Sequence, residues 1–259
     1  MGKLIHYQMR KFSREISFYI ILGINLALIV LSVLLYAYIN SQSNLEEERR
    51  MINELAGNLY TGTGFFLSSL AQNNFLMLVG IYVALTTSSD YTSRTVRNIF
   101  ARGYSRSEFY FSKAVSVTIA LTIAFFVSMI FSFAVSSIFL GNVTGDAGKI
   151  AMILGLQYLS VLATGSLIFM ISSLFRKTGI AVASAILVPD VIGLILALFS
   201  SIPNLTNYNI FDYWLSSFLT SLSTITVTND RMLQILLLSV AYIVAFILGG
   251  YAFSRKTEV

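Results

Sequence analysis

Six apolar runs, each long enough to cross a bilayer, constrain this chain more than anything else in it. They cover about Phe18–Ile39, Phe65–Thr87, Ala114–Leu140, Ile150–Leu174, Ile180–Ser200 and Met232–Phe253. A transmembrane helix needs roughly 20 mostly apolar residues at 1.5 Å rise each. Hydrophobic residues make up 56% of the 259 and charged residues 11%, against about 25% charged in soluble domains. A soluble reading would need one or two domains with improbable cores. The expectation is an all-α membrane protein, a single transmembrane domain over residues 1–259. The first run is too long and too late for a cleaved signal peptide, and no small-residue cleavage site follows it. The absence of cysteine excludes a disulfide framework, a thiol nucleophile and a thiolate metal site. The triplets Asn142-Val143-Thr144 and Asn204-Leu205-Thr206 are short enough to arise by chance.

Orientation follows from lysine and arginine counted loop by loop. Six crossings put both termini on one side. That side collects Lys3, Arg10, Lys11, Arg14, Arg94, Arg97, Arg102, Arg106, Lys113, Arg176, Lys177, Arg255 and Lys256, thirteen of the 17 basic residues. The other side holds Arg49, Arg50, Lys149 and Arg231 beside the acidic Glu46, Glu47 and Glu48. Both termini and the loop 88–113 are therefore expected in the cytoplasm of a multi-pass bacterial cell-membrane protein. The net charge of +5 is mostly a topology signal, and any single basic residue serves equally well as a contact to anionic lipid. No basic patch is backed by a soluble fold, so nucleic acid is not an expected partner.

The loop 88–113 has internal organisation beyond charge. Thr92 to Arg102 is helix-compatible and free of proline, Gly103 breaks it, and Ser105-Arg106-Ser107-Glu108 reads as a capping box that starts the next helix. At the N-terminus, Ile5, Met9, Phe12 and Ile16 fall in one sector at 100° per residue, with Lys3, Arg10 and Arg14 nearly opposite. Residues 1–17 thus read as an amphipathic interfacial helix, or as an extension of the first span. His6 has no second histidine with which to hold a metal.

An amphipathic lead-in, six spans and a basic helix-turn-helix between spans two and three resemble the type-2 ABC-transporter permeases, and more closely the small bacterial subunits of antimicrobial-peptide export, immunity or resistance. The stretch "DYTSRTVRNIFARGYSRSEFYFSK" carries the likeness: Asp90, Thr95, Arg97, Gly103, Ser105, Arg106 and Lys113 stand at the family's places, while Arg94 replaces its usual glycine. The resemblance implies that this loop is a coupling helix that docks on a separate ATPase, through Arg94, Thr95, Val96, Arg97, Ile99, Phe100 and Arg102. It also implies two ATPase subunits, which hold the ATP and magnesium, and a second permease subunit, the same chain or a homologue. A nucleotide-binding Gly-x-x-x-x-Gly-Lys-Ser/Thr does not occur; the nearest fragment, Gly148-Lys149-Ile150, lacks its first glycine and its hydroxyl. No cofactor is expected in this chain.

On the outer side, "LEEERRMINELAGNLYTGTGFF" places Leu45, Ile52, Leu55 and Leu59 near one helical face, an external interfacial helix. The outer loop 201–230 contains Tyr208, Phe211, Tyr213, Trp214 and Phe218. It reads either as an ordinary aromatic belt or, as the resemblance implies, as short re-entrant helices that close the pathway. In that second case Trp214 and Phe218 are buried against lipid or the partner permease. Polar residues inside spans are functional candidates. Asp190 beside Pro189 lies midway along span five, as a pathway or gate residue facing a subunit interface or as part of a structural helix break. Gln72, Asn73 and Asn74 interrupt span two, with Asn73 a gate candidate, and Asn25 and Gln157 read as glue between helices. One histidine and one mid-span aspartate assemble no hydrolytic set, so an enzyme is not expected. The favoured expectation is the membrane subunit of an ATP-driven exporter of an amphiphilic peptide. The alternative is a membrane immunity or sensor protein that binds a peptide without moving it.

Overall fold

The computed structural model describes residues 2–42, 61–93, 95–141, 143–175, 177–201 and 209–256. Helices dominate them, with no strand among the described residues: α1 (Gly2–Phe12), α2 (Ile16–Gln42), α3 (Gly62–Ala71), α4 (Asn73–Thr92), α5 (Thr95–Ala101), α6 (Arg106–Phe139), α7 (Ala147–Leu174) and α8 (Thr178–Ser200), then a 3-10 turn (Ile210–Tyr213), α9 (Leu215–Ser221) and α10 (Asn229–Lys256). Six stretches are long and apolar enough to cross a membrane, as the hydropathy pattern requires. The second is made of two helices. Its polar run ends α3 and starts α4 around Gln72, whose backbone is extended at φ −67°, ψ 141°.

The least hydropathic spans, α3–α4 and α7, are the most buried, while α2, α8 and α10 bury few of their residues. Physical logic links the two observations, since a helix surrounded by protein tolerates serine, threonine and glutamine, whereas one facing lipid does not. α7 packs against α10, α4, α6 and α8, and α4 also packs against α8 and α2. Gln157 on α7 is fully buried and donates to the carbonyls of Leu67 on α3 and Leu222 at the end of α9, both at 2.9 Å. Asn25 on α2 donates to Ser128 on α6 at 2.8 Å. Both residues therefore act as the interhelical glue expected of them.

A seam of buried hydroxyls runs between these helices. Ser69 meets Ser132 across α3 and α6, and Ser160 meets Ser239 across α7 and α10 at 3.5 Å. Ser69 also donates to Phe66 of its own helix and Ser160 to Leu156 of its own, each at 2.9 Å.

α1 packs on α6. Its buried face is Leu4, Gln8 and Phe12, one residue round from the expected Ile5, Met9, Phe12 and Ile16 sector. Ile16 is exposed and begins α2 after a break at Ser13–Glu15. The correction has a plain cause: α1 meets another helix, and a four-residue stripe forms that contact, whereas the amphipathic sector was drawn for a flat headgroup plane. At the same end of the bundle, the Tyr110 hydroxyl near the start of α6 donates to the Ile247 carbonyl near the end of α10 at 3.0 Å. The first and last helices therefore lie at one end, called here the basic end. The expected helix around Leu45–Leu59 lies outside the described residues.

Replacing Gln157 with leucine keeps the volume but takes the donor from two buried carbonyls. Thermal unfolding in detergent should show a loss of about 1–3 kcal/mol, the cost of stranding buried polar groups. An unchanged midpoint would mean that these carbonyls are otherwise satisfied.

Candidate functional site

At the basic end the chain builds a short helix on a bracing pair. Ser105 and Glu108 form the expected capping box: the Glu108 amide donates to the Ser105 hydroxyl at 3.2 Å, and the Ser105 amide to the Glu108 carboxylate at 3.0 Å. Gly103 turns the chain between α5 and α6 with φ +85°, a left-handed value that favours glycine. Val96 and Ile99 project inward from α5 and bury themselves with Leu4 of α1 and Phe109 of α6. Both were expected on a partner-contacting face, and the structure corrects this: spaced three apart on a seven-residue helix, they form its inner stripe. Arg97 and Arg102 are exposed, Thr95 and Phe100 half-buried, and Phe100 meets the Phe109 ring edge-on at 6.0 Å between centroids. Arg94 lies outside the described residues.

Beneath this platform lies a buried ion cluster. Asp90, in the last turn of α4, is inaccessible to solvent. One of its carboxylate oxygens meets the Lys11 ammonium of α1, and the other lies 2.8 Å from the Lys113 nitrogen of α6. Lys113 is itself buried, and Lys11 also approaches Glu15 at 3.7 Å. Three helices thus share one carboxylate. Burial pulls the Lys11 pKa down, but the Asp90 charge and hydrogen bond, with Glu15, outweigh it, and the ammonium is held above its ordinary 10.5.

At the opposite end the outer loop folds onto its own chain. Trp214 and Phe218 are buried, but against α8 and α10 of the same chain, which corrects the expected burial against lipid or a partner. The Trp214 indole N–H donates to the Pro189 carbonyl at 3.1 Å. Gly193, one turn on, permits this approach, because a Cβ there would sit 3.3 Å from two atoms of the Trp214 ring. The Tyr242 hydroxyl of α10 donates to the Tyr213 carbonyl at 2.9 Å. Arg231 at the start of α10 donates to Ser217 at 2.6 Å and Gln234 at 2.9 Å, and its charge lies 6.0 Å from the centre of the Phe218 ring. Residues 202–208 lie outside the described residues.

Asp190 follows Pro189 on α8 and is exposed on the outside of the bundle, with no hydrogen bond or ion pair among the described residues. A shallow groove beside it is lined by Leu76 and Met77 of α4, Thr164 and Ile168 of α7, and Ser216 of α9. Asn73 is the first residue of α4, and only its backbone is described. The predicted site residues therefore separate into two groups at different depths: the α5 platform, and the Pro189–Asp190 stretch of α8 with Trp214 and Phe218 above it. The Asp90 cluster between α1, α4 and α6 joins the platform to the spans. No protein-family model matches the chain, and no curated protein matches it.

Removing one member of a buried ion cluster strands the others, so Asp90→Asn should cost about 3–5 kcal/mol in thermal unfolding. Replacing Asp90 and Lys113 together with leucine and methionine should recover most of that loss. A folded pKa above the unfolded one makes the Lys11 contribution complete below 10.5, and it fades only as the pH climbs through the raised value. Unfolding midpoints should therefore show no Lys11-linked step between about pH 6 and 9.

Proposed function

We propose that this chain is the membrane-spanning subunit of an ATP-driven exporter in a bacterial cell membrane, with its basic end in the cytoplasm and α5 as the contact for a separate ATPase. One observation carries the reading: α5 is a short helix with Arg97 outward, Arg102 exposed just past its end, and Val96 and Ile99 keyed into α1 and α6. A helix that served orientation alone would need no such inner bracing. Any push on α5 is delivered to Phe109, and from there into α6, a helix of 34 residues that runs to the opposite end of the bundle. The Asp90 cluster makes α1 and α4 follow the same displacement. The platform thus converts a local contact into movement of whole spans, as a transport subunit driven from outside the membrane requires.

A second permease subunit completes the proposed transporter by covering the exposed face of α2, so that the α8 face carrying Asp190 borders the pathway between the two subunits. Two ATPase subunits supply ATP and magnesium, and lipid covers the remaining apolar surface. The substrate is an amphiphilic, hydrophobic molecule such as a peptide, which enters from the membrane and leaves past the folded outer loop. Type-2 permeases also move lipids, glycans and drugs, so the reading commits to amphiphilic character and outward direction.

The test is association. The tagged chain, purified from membranes of its own host, should bring an ATPase with it. Arg97→Glu with Arg102→Glu should abolish that association while insertion and thermal stability stay near wild type, because both side chains are exposed. Absence of any ATPase from the wild-type preparation, or its retention by the charge-reversed variant, overturns the coupling reading.

A further inference from the structure

Among the described residues, Asp190 is the one aspartate, glutamate, lysine or arginine in the middle of a span. It stands 12 residues after the start of α8 and 10 before its end, about 18 Å and 15 Å along the axis at 1.5 Å per residue. Every other charged residue in the six spans lies near a helix end: Asp90 in the last turn of α4, Arg106, Glu108 and Lys113 at the start of α6, Lys149 at the start of α7, and Asp230 and Arg231 at the start of α10. Among the described residues, neither this chain nor a second copy of it carries a cation at the depth of Asp190. A second copy would instead add a second carboxylate. An aspartate side chain is also too short to reach the headgroups from mid-span, unlike a lysine or arginine.

We infer that Asp190 receives the ammonium or guanidinium group of a cationic amphiphile, whose apolar part lies along the exposed face of α8. This deepens the export reading above, and rests on it, by giving the substrate a charge. The face fits such a ligand: Leu187, Val191, Leu194 and Leu198 surround Asp190 at helical spacing and are all exposed. The groove beside the carboxylate adds two hydroxyl side chains, Thr164 and Ser216, on a wall that is otherwise apolar. The Thr164 hydroxyl donates to its own helix at the Ser160 carbonyl, 3.0 Å away, so it presents an oxygen, not a hydrogen, to the groove. One carboxylate with two hydroxyls is too few oxygens for a dedicated calcium or magnesium site. It suits a singly charged organic cation, which needs one counter-charge and an apolar surface for the remainder. Low dielectric strengthens such a pair well beyond its value in water.

The experiment uses the purified full-length chain in phosphatidylcholine nanodiscs without any ATPase, so its outcome is independent of the coupling test. The probe is a fluorescent dodecyl amphiphile with a trimethylammonium headgroup, and its control is the same molecule with a neutral sugar headgroup. Partition into empty nanodiscs is subtracted. Wild type should bind the cationic probe saturably, Asp190→Asn should weaken that binding about tenfold or more, and Asp190→Glu should keep most of it. The neutral probe should be indifferent to both changes. Equal affinity in Asp190→Asn overturns the inference, as does equal loss of both probes or no saturable binding by wild type. A second variant guards against misfolding of the first: Leu187→Lys places a cation one turn away and should block the cationic probe by occupying the carboxylate. Undiminished cationic binding in a folded Leu187→Lys protein would also overturn the inference.

Discussion

A carboxylate sealed inside a helix bundle has to be neutralised, and here that need fixes the geometry of the basic end. Asp90 draws Lys11 from α1 and Lys113 from α6, so the N-terminal helix, the second span and the third span converge on one point. The desolvation of three charges makes the cluster a modest net contributor to stability, but a missing member is costly. Position, more than strength, is what the cluster supplies. With α1 tied down, Leu4 reaches Val96 and Ile99, and α5 acquires an inner wall. Arg97 and Arg102 owe their outward presentation to an aspartate they do not touch.

The other half of the molecule answers a different requirement. A membrane offers no water to satisfy backbone groups, so every interruption of a spanning helix needs a local remedy. Near the break at Gln72, Gln157 bonds α3 through the Leu67 carbonyl and the end of α9 through the Leu222 carbonyl at once. Pro189 lies inside a continuous α8 and withholds a donor from the Ala185 carbonyl one turn earlier, while Trp214 donates its N–H to the Pro189 carbonyl. Both contacts join the outer loop to the spans, so α9 is anchored at its start by Trp214 and at its end through Leu222. Tyr242 and Arg231 fasten the same segment to α10. The polar interruptions and the folded outer loop are thus one construction.

How much of this was legible in the residues depended on the range of each interaction. The six spans, the Gln72 break, the Gly103 turn and the Ser105–Glu108 cap are local, and each has a sequence signature that the structure reproduces. Gln157 and Asn25 were recognisable as glue because a lone amide in an apolar run needs a partner, although nothing in the chain named Leu222 or Ser128 as that partner. The α1 face was misplaced by one residue, because periodicity reports an apolar sector but not whether lipid or a helix will meet it. Val96 and Ile99 were assigned outward for the same reason. The Asp90 cluster joins partners 79 and 23 positions away from Asp90. Its only trace was charge at span ends, which the need to orient the chain already explained.

The hydroxyl seam has a mechanical consequence. Where a contact across helices is the sole partner of a buried donor, parting the helices leaves that donor bare and raises a barrier. Ser69 and Ser160 are placed otherwise, since each has a carbonyl of its own helix within reach as well as the serine opposite. When α6 shifts against α3, or α10 against α7, Ser69 and Ser160 stay bonded to their own helices, while the buried Ser132 and Ser239 give up the bond they make across the seam. Small side chains leave few knobs to ratchet past one another along the same line. The seams are one-sided: when they part, α3 and α7 keep their serines bonded, and the cost falls on α6 and α10.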